Sequence, residues 1–157
     1  KLLYKTPGWE PVPEGATRIP IGVSRVVRTG KDLTIVATGI MVKKSLEVAE
    51  QLATEGIQVT VIDPRTISPL DITSTLDSVE STGRLMVVQE GPSHGGFINE
   101  VIAQVAGSRA FGSLKAPIKK VAGLNIPIPY APQLERAAVP QVEDIHAAAT
   151  EIVKSWR

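Results

Sequence analysis

Few side chains in this 157-residue chain could do chemistry, and most of them lie in residues 85–97, LMVVQEGPSHGGF. Glu90 beside His94 could form an acid and base pair, and the Gly91, Gly95 and Gly96 turn opens a helix whose free N–H groups would suit an anion. Arg65 could grip a carboxylate or phosphate through its planar fork. Each has a plainer use. The glycine spacing is G-x-x-x-G-G, with neither G-x-G-x-x-G nor a following Gly-Lys-Ser/Thr, so it favours close packing or an interface over phosphate binding. His94 and His146 are the two histidines; neither belongs to H-E-x-x-H or a G-x-S-x-G elbow, and His146 falls on the wet face of the closing helix. Glu90 reads as a solvated strand-end carboxylate, and Arg65 as half of an interfacial ion pair.

The elements that position these groups follow from hydrophobic period. Residues 21–29 and 33–38 read as strands; the short Gly-Lys-Asp link between them favours antiparallel neighbours and leaves room for an interposed strand. Val42, Leu46, Ala49 and Leu52 repeat at helical spacing up to Gly56, and residues 57–62 form the next strand. Ser68 as N-cap, Pro69 at the first helical position and Asp71 three residues on predict a helix running to Gly83. The apolar run 85–88 is a strand covered on both faces. It meets water at Gln89 and Glu90, is broken by Gly91 and Pro92, and is followed by a helix carrying Phe97, Ile98, Val101, Ile102 and Val105. Residues 110–114 bridge to a last strand at 118–122. Residues 125–140 hold four prolines and are predicted to be irregular, yet Ile126, Ile128, Tyr130 and Leu134 require that stretch to lie on something. Val142, Ile145, Ala149, Ile152, Val153 and Trp156 mark one face of a docked closing helix.

Alternation from residue 33 onward predicts an α/β fold, a three-layer α/β/α sandwich with parallel pairing and right-handed crossovers, the first strand running antiparallel. The chain is long enough for one domain with its own core. Without cysteine it has no disulfide or thiolate site. Seventeen basic against sixteen acidic residues, with few aromatics, exclude a nucleic-acid field, and no apolar run reaches membrane-span length. A soluble protein of a cytoplasmic or mitochondrial-matrix kind is expected. Residues 1–20, with Pro7, Pro11, Pro13 and Pro20, read as an extended connector from a preceding N-terminal domain, Trp9 lying on its own domain or on what precedes it; residues 21–157 form the domain proper.

Three motifs, VIDPRTISPLD (61–71), TGRLMVVQEGPSHGGF (82–97) and VAGLNIPIPYAP (121–132), together with Leu3 and Tyr4, resemble the C-terminal domain of the β subunit of thiamine-diphosphate-dependent 2-oxoacid dehydrogenases. These are the decarboxylating components of the pyruvate, branched-chain 2-oxoacid and acetoin complexes. The resemblance implies a transketolase C-terminal-like fold: a mixed five-stranded sheet in the order 1-3-2-4-5, the first strand antiparallel. It implies that thiamine diphosphate and Mg belong to the full enzyme, the diphosphate held by the α subunit and the aminopyrimidine by the N-terminal domain of the β subunit. This domain then carries no catalytic, cofactor-binding or metal residue and is inert alone. Its implied partners are the α subunit, a second β subunit and the lipoyl acyltransferase core.

Carried over position by position, Arg65, Glu90, Gly95, Gly96 and Glu100 take interface and fold-maintaining roles, and Ile126, Ile128 and Tyr130 supply an apolar face for self-association. Relatives commonly have His where this chain has Gln89, and Thr where it has His94, so no family histidine transfers. Lys115 stands where many relatives carry an acid near the acyltransferase contact. Two rival readings remain: the C-terminal domain of a transketolase or deoxyxylulose-phosphate synthase, and a stand-alone nucleotide-binding module using the 91–96 turn.

Overall fold

The computed structural model describes residues 14–15 and 18–155. The connector expected over 1–20 lies mostly outside the described residues, as do Leu3, Tyr4, Trp9 and Trp156.

Strands β1 (Arg25–Arg28), β2 (Leu33–Ala37), β3 (Val59–Asp63), β4 (Leu85–Pro92) and β5 (Lys119–Gly123) form one sheet in the order β1-β3-β2-β4-β5. β1 pairs antiparallel with β3, and the other pairs are parallel. β3 is thus the interposed strand that the short 30–32 link left room for. Among the described residues the helices are α1 (Ile40–Thr54), α2 (Thr73–Thr82), α3 (Phe97–Ala106), α4 (Pro132–Ala138) and α5 (Val142–Lys154), with a 3-10 turn at Arg109–Ser113.

Period 2 along the central strands divides the core into two layers. Leu33, Ile35, Val59, Val61, Met86 and Val88 point to the side covered by α1 and α5, where Met41, Val48, Leu52, Ile145 and Ile152 meet them. Val36, Ile62, Leu85 and Val87 point the other way, onto Val79 of α2 and Ile98, Val101 and Val105 of α3. Each such side chain taken fully out of water contributes about 1.5–3 kcal/mol, and this two-sided burial is why β2, β3 and β4 read as continuous apolar runs.

Four expectations about the bounds of elements need correction. β1 is shorter than 21–29 because the chain ahead of it bonds to side chains instead of a strand: Gly22 N–H donates to Thr66 Oγ1 (3.0 Å) and Ser24 N–H to Asp71 Oδ2 (3.0 Å). The second helix does not start at Ser68. α2 begins at Thr73, and Asp71 itself receives its first-turn donors, Ser74 N–H on Oδ1 (3.3 Å) and the Ser74 hydroxyl on Oδ2 (2.7 Å). Residues 66–71 form a pad under 22–24, and Asp71 serves both that pad and the first turn of α2.

Gly91 and Pro92 do not end β4 either. The ladder to β5 resumes at Pro92 opposite Gly123, so Gln89, Glu90 and Gly91 face Ala122 alone in a bulge-like offset. Lastly, residues 125–140 are not irregular throughout, since Pro132–Ala138 is helical. Pro132 occupies the first turn, where its missing N–H costs nothing, while Pro127, Pro129 and Pro140 fall outside α4. Leu124 N–H donating to Ala138 O (2.9 Å) ties α4 back over the end of β5.

Candidate functional site

The turn after β4 is held from beneath by Gln89, which was expected to meet water at the end of the apolar run 85–88 and which is 5% exposed. Its Nε2 donates to Pro92 O (2.6 Å) and Gly91 O (3.3 Å), and its Oε1 accepts from Ile98 N–H (3.3 Å) in the first turn of α3. A side chain thus takes one of the helix donors that would have faced an anion. A Cβ on Gly96 would overlap the Gln89 carboxamide, which is why position 96 carries none. Gly95 sits at φ +64 with open space around it.

The outer side of the turn is pinned to β5 and the chain beyond. Ser93 N–H donates to Gly123 O (3.0 Å) and His94 N–H to Asn125 Oδ1 (2.9 Å). Lys120 Nζ donates to Ser93 O (3.1 Å) and Asn99 Oδ1 (3.2 Å), and Asn99 Nδ2 also donates to Ser93 O (3.1 Å). Gly123 closes this knot: a Cβ there would lie 2.5 Å from Glu90 O and 3.2 Å from both Ala138 O and Gly91 O. Sequence reasoning missed Gln89 and Gly123. A polar residue following four apolar ones, and the glycine inside VAGLN, were the signals available.

The expected site residues separate along the carboxyl edge of the sheet. Glu90, exposed in the bulge of β4, lines a cavity of about 200 Å³ with Lys44, Pro132, Glu135, Arg136, Val139 and Gln141. His94 does not line that cavity, and no hydrogen bond joins it to Glu90 among the described residues. Arg65 lies two residues past β3, exposed, with φ +60 and its N–H donated to Asp63 Oδ1 (2.9 Å). Glu100 is exposed on α3 and accepts from Gln104 Nε2 (2.7 Å). Ile126, Ile128 and Tyr130 remain exposed after β5, in company with Leu124 and Leu134. Lys115 is exposed, and its stem lies where a side chain on Gly83 would be.

Among the described residues, three ionisable groups are shifted. Burial pulls Lys44 below the usual lysine range, opposed by the nearby Glu90 carboxylate. For Asp71, burial pushes upward, but hydrogen bonds from Ser74 and Ser24 outweigh it and hold the carboxyl below its ordinary value. Glu55, at the end of α1, is lowered by the hydrogen bond from Lys154 and further by His146, whose Nε2 lies 3.0 Å from its Oε1. His146 is therefore half-buried between α1 and α5, not on a purely wet face.

One α3 amide that a phosphate would seek, Ile98 N–H, is bonded to Gln89, and no group of three or more His, Asp or Glu that could hold a metal ion converges among the described residues. Among the same residues no helix is long and apolar enough to cross a membrane.

Comparison with known proteins follows this geometry. The family model for the transketolase C-terminal domain matches residues 22–145. The chain is 46% identical over its whole length to the β subunit of acetoin:2,6-dichlorophenolindophenol oxidoreductase of Cupriavidus necator, spanning 46% of that protein. It is 45% identical over 131 residues, 83% of the chain, to a mitochondrial pyruvate dehydrogenase E1 component subunit beta-1 of Arabidopsis thaliana, spanning 36% of it. It therefore spans less than half of either relative. Among solved structures, an inactive β4 tetramer of a split-gene transketolase superposes over 93% of the chain and 48% of its own, with TM-score 0.77 and 30% identity. A Pichia stipitis transketolase shares the fold, with TM-score 0.54 at 16% identity over 85% of the chain and 18% of its own. The sheet order, the antiparallel first strand and the family match over most of the chain agree: this chain belongs to the transketolase C-terminal domain family.

Proposed function

We propose that this chain is the C-terminal assembly domain of the β subunit of a thiamine-diphosphate-dependent 2-oxoacid dehydrogenase. The whole enzyme would decarboxylate a 2-oxoacid such as pyruvate oxidatively and pass the acyl group to a lipoyl acyltransferase, in bacterial cytoplasm or mitochondrial matrix. The domain's own part is to join the β subunit to its α subunit, to a second β subunit and to the acyltransferase core. Thiamine diphosphate and Mg would be held by the other portions.

The observation that carries this reading is the exposed apolar run Leu124, Ile126, Ile128, Tyr130 and Leu134, which extends from a tightly hydrogen-bonded strand end and buries none of these side chains in its own core. Exposed apolar residues gathered along one segment, on a well-packed scaffold, are the material of a subunit interface. Arg65 and Glu90 stand on the same carboxyl edge of the sheet, exposed and available for pairing across it. Glu100 and the backbone-shaping Gly95 and Gly96 complete the set to which we assign interface and fold-maintaining roles.

Likeness to the split-gene transketolase tetramer keeps a second reading, the β half of a transketolase, in view. A reconstitution assay separates the two. The complete β subunit mixed with its α subunit should decarboxylate a 2-oxoacid with reduction of an artificial electron acceptor, and the 157-residue chain alone should neither do so nor bind thiamine diphosphate in calorimetry. Ketol transfer between sugar phosphates by the reconstituted protein, or cofactor binding by the chain alone, would overturn the proposal.

A further inference from the structure

The cavity beside Glu90 carries a set of charges that the exposed apolar run does not use. Its position follows from topology. β2 is followed by α1 on one face of the sheet and β4 by α3 on the other, so the chain parts in opposite directions at the carboxyl ends of two adjacent strands. Open α/β sheets bind ligands in the crevice at such a switch point. Glu90 lies in the bulge near the carboxyl end of β4, Lys44 stands in α1, and α4 closes the far side with Pro132, Glu135 and Arg136.

Among the described residues no ion pair joins Lys44, Arg136, Glu90 and Glu135 to one another, although the Glu90 carboxylate is near enough to act on Lys44. Lys44 Nζ donates to Pro140 O (2.6 Å) and Gln141 Oε1 (3.0 Å), which leaves one of its three donors unused. Arg136 reaches Glu143 only at 3.8 Å. Neither Glu90 nor Glu135 has a side-chain hydrogen bond or an ion pair among the described residues. Two cations and two carboxylates therefore line about 200 Å³, with Pro132 and Val139 as the apolar wall. A ligand of one sign would be repelled by half of this lining; one carrying both signs is attracted by all of it.

We propose that this crevice binds a small zwitterion, a molecule of amino-acid type. Lys44 and Arg136 receive its carboxylate, Glu90 and Glu135 its ammonium group, and Pro132 and Val139 a short aliphatic portion. The volume suits a molecule well below drug size. Bound there, it would bridge α1, β4 and α4. The site shares Glu90 with the assembly reading, but its test on the chain alone needs no partner subunit, so the two can fail separately.

The test is a titration of the isotope-labelled 157-residue chain, followed by amide shifts, with glycine, β-alanine, γ-aminobutyrate and valine as probes and acetate and methylammonium as single-charge controls. At least one zwitterion should give saturable shifts centred on Lys44, Glu90 and Gln141. Either control alone should bind at least about tenfold more weakly, a difference of about 1.4 kcal/mol. E90Q should weaken the zwitterion by a similar factor; because the Glu90 side chain supports no hydrogen bond, that variant keeps its fold, and K44Q is the second, independent variant. Absence of saturable shifts with every zwitterion would overturn the proposal, as would acetate binding equally well and unaffected by E90Q.

Discussion

Gln89 occupies the space in which Gly96 would carry a side chain, and from there its carboxamide bonds both the end of β4 and the start of α3. The two positions act as one device, a buried amide that fixes the turn and a glycine that admits it.

Gly96→Ala should displace that amide and leave Ile98 N–H and Pro92 O without partners, costing about 2 kcal/mol in urea unfolding. Gln89→Ala should cost a similar amount. Because both break the same contacts, the double variant should fall well short of the sum of the singles, a coupling of about 1 kcal/mol or more in a double-mutant cycle. Strict additivity would show that the two positions act separately.

Asp71 links the entry segment to α2, and its folded-state carboxyl is held below the ordinary value. The sign follows from linkage. Its contribution is fully present above the unfolded value of about 3.9 and is lost as pH falls through the lowered folded value. Asp71→Asn should lower stability at neutral pH and flatten the acid limb of the unfolding curve below about pH 4. An acid limb as steep as that of the parent would contradict the role given to Asp71.

Arg65 holds a backbone conformation that favours glycine. Arg65→Gly should leave the isolated domain as stable or more so, by up to about 1 kcal/mol in thermal or urea unfolding. The same change should weaken association with partner subunits, since the exposed guanidinium is what the position supplies. Reduced domain stability with unchanged association would reverse that assignment.

Much of this architecture was legible in the sequence, and the reasons for the misses are local. Apolar runs and helical spacing located β2, β3, α1 and α3 because those elements bury their faces in the ordinary way. α4 was hidden because three of four prolines lie outside it and the fourth sits where proline is harmless. The start of α2 was misplaced because Asp71 serves two segments, a tertiary task that local spacing does not encode. Gln89 was read as wet because its partners are backbone groups reached only when the turn folds over it. Lys44 drew no attention, being one lysine of a pair whose difference is a cavity that only the assembled sheet creates.

The apolar run after β5 carries the central claim. Sedimentation velocity of the complete β subunit with its α subunit, comparing the parent with an I128K and Y130D double variant, tests it most directly. Because both side chains are exposed, the variant should remain folded by circular dichroism yet fail to form the larger assembly. An assembly of unchanged size and affinity in the variant would contradict the account.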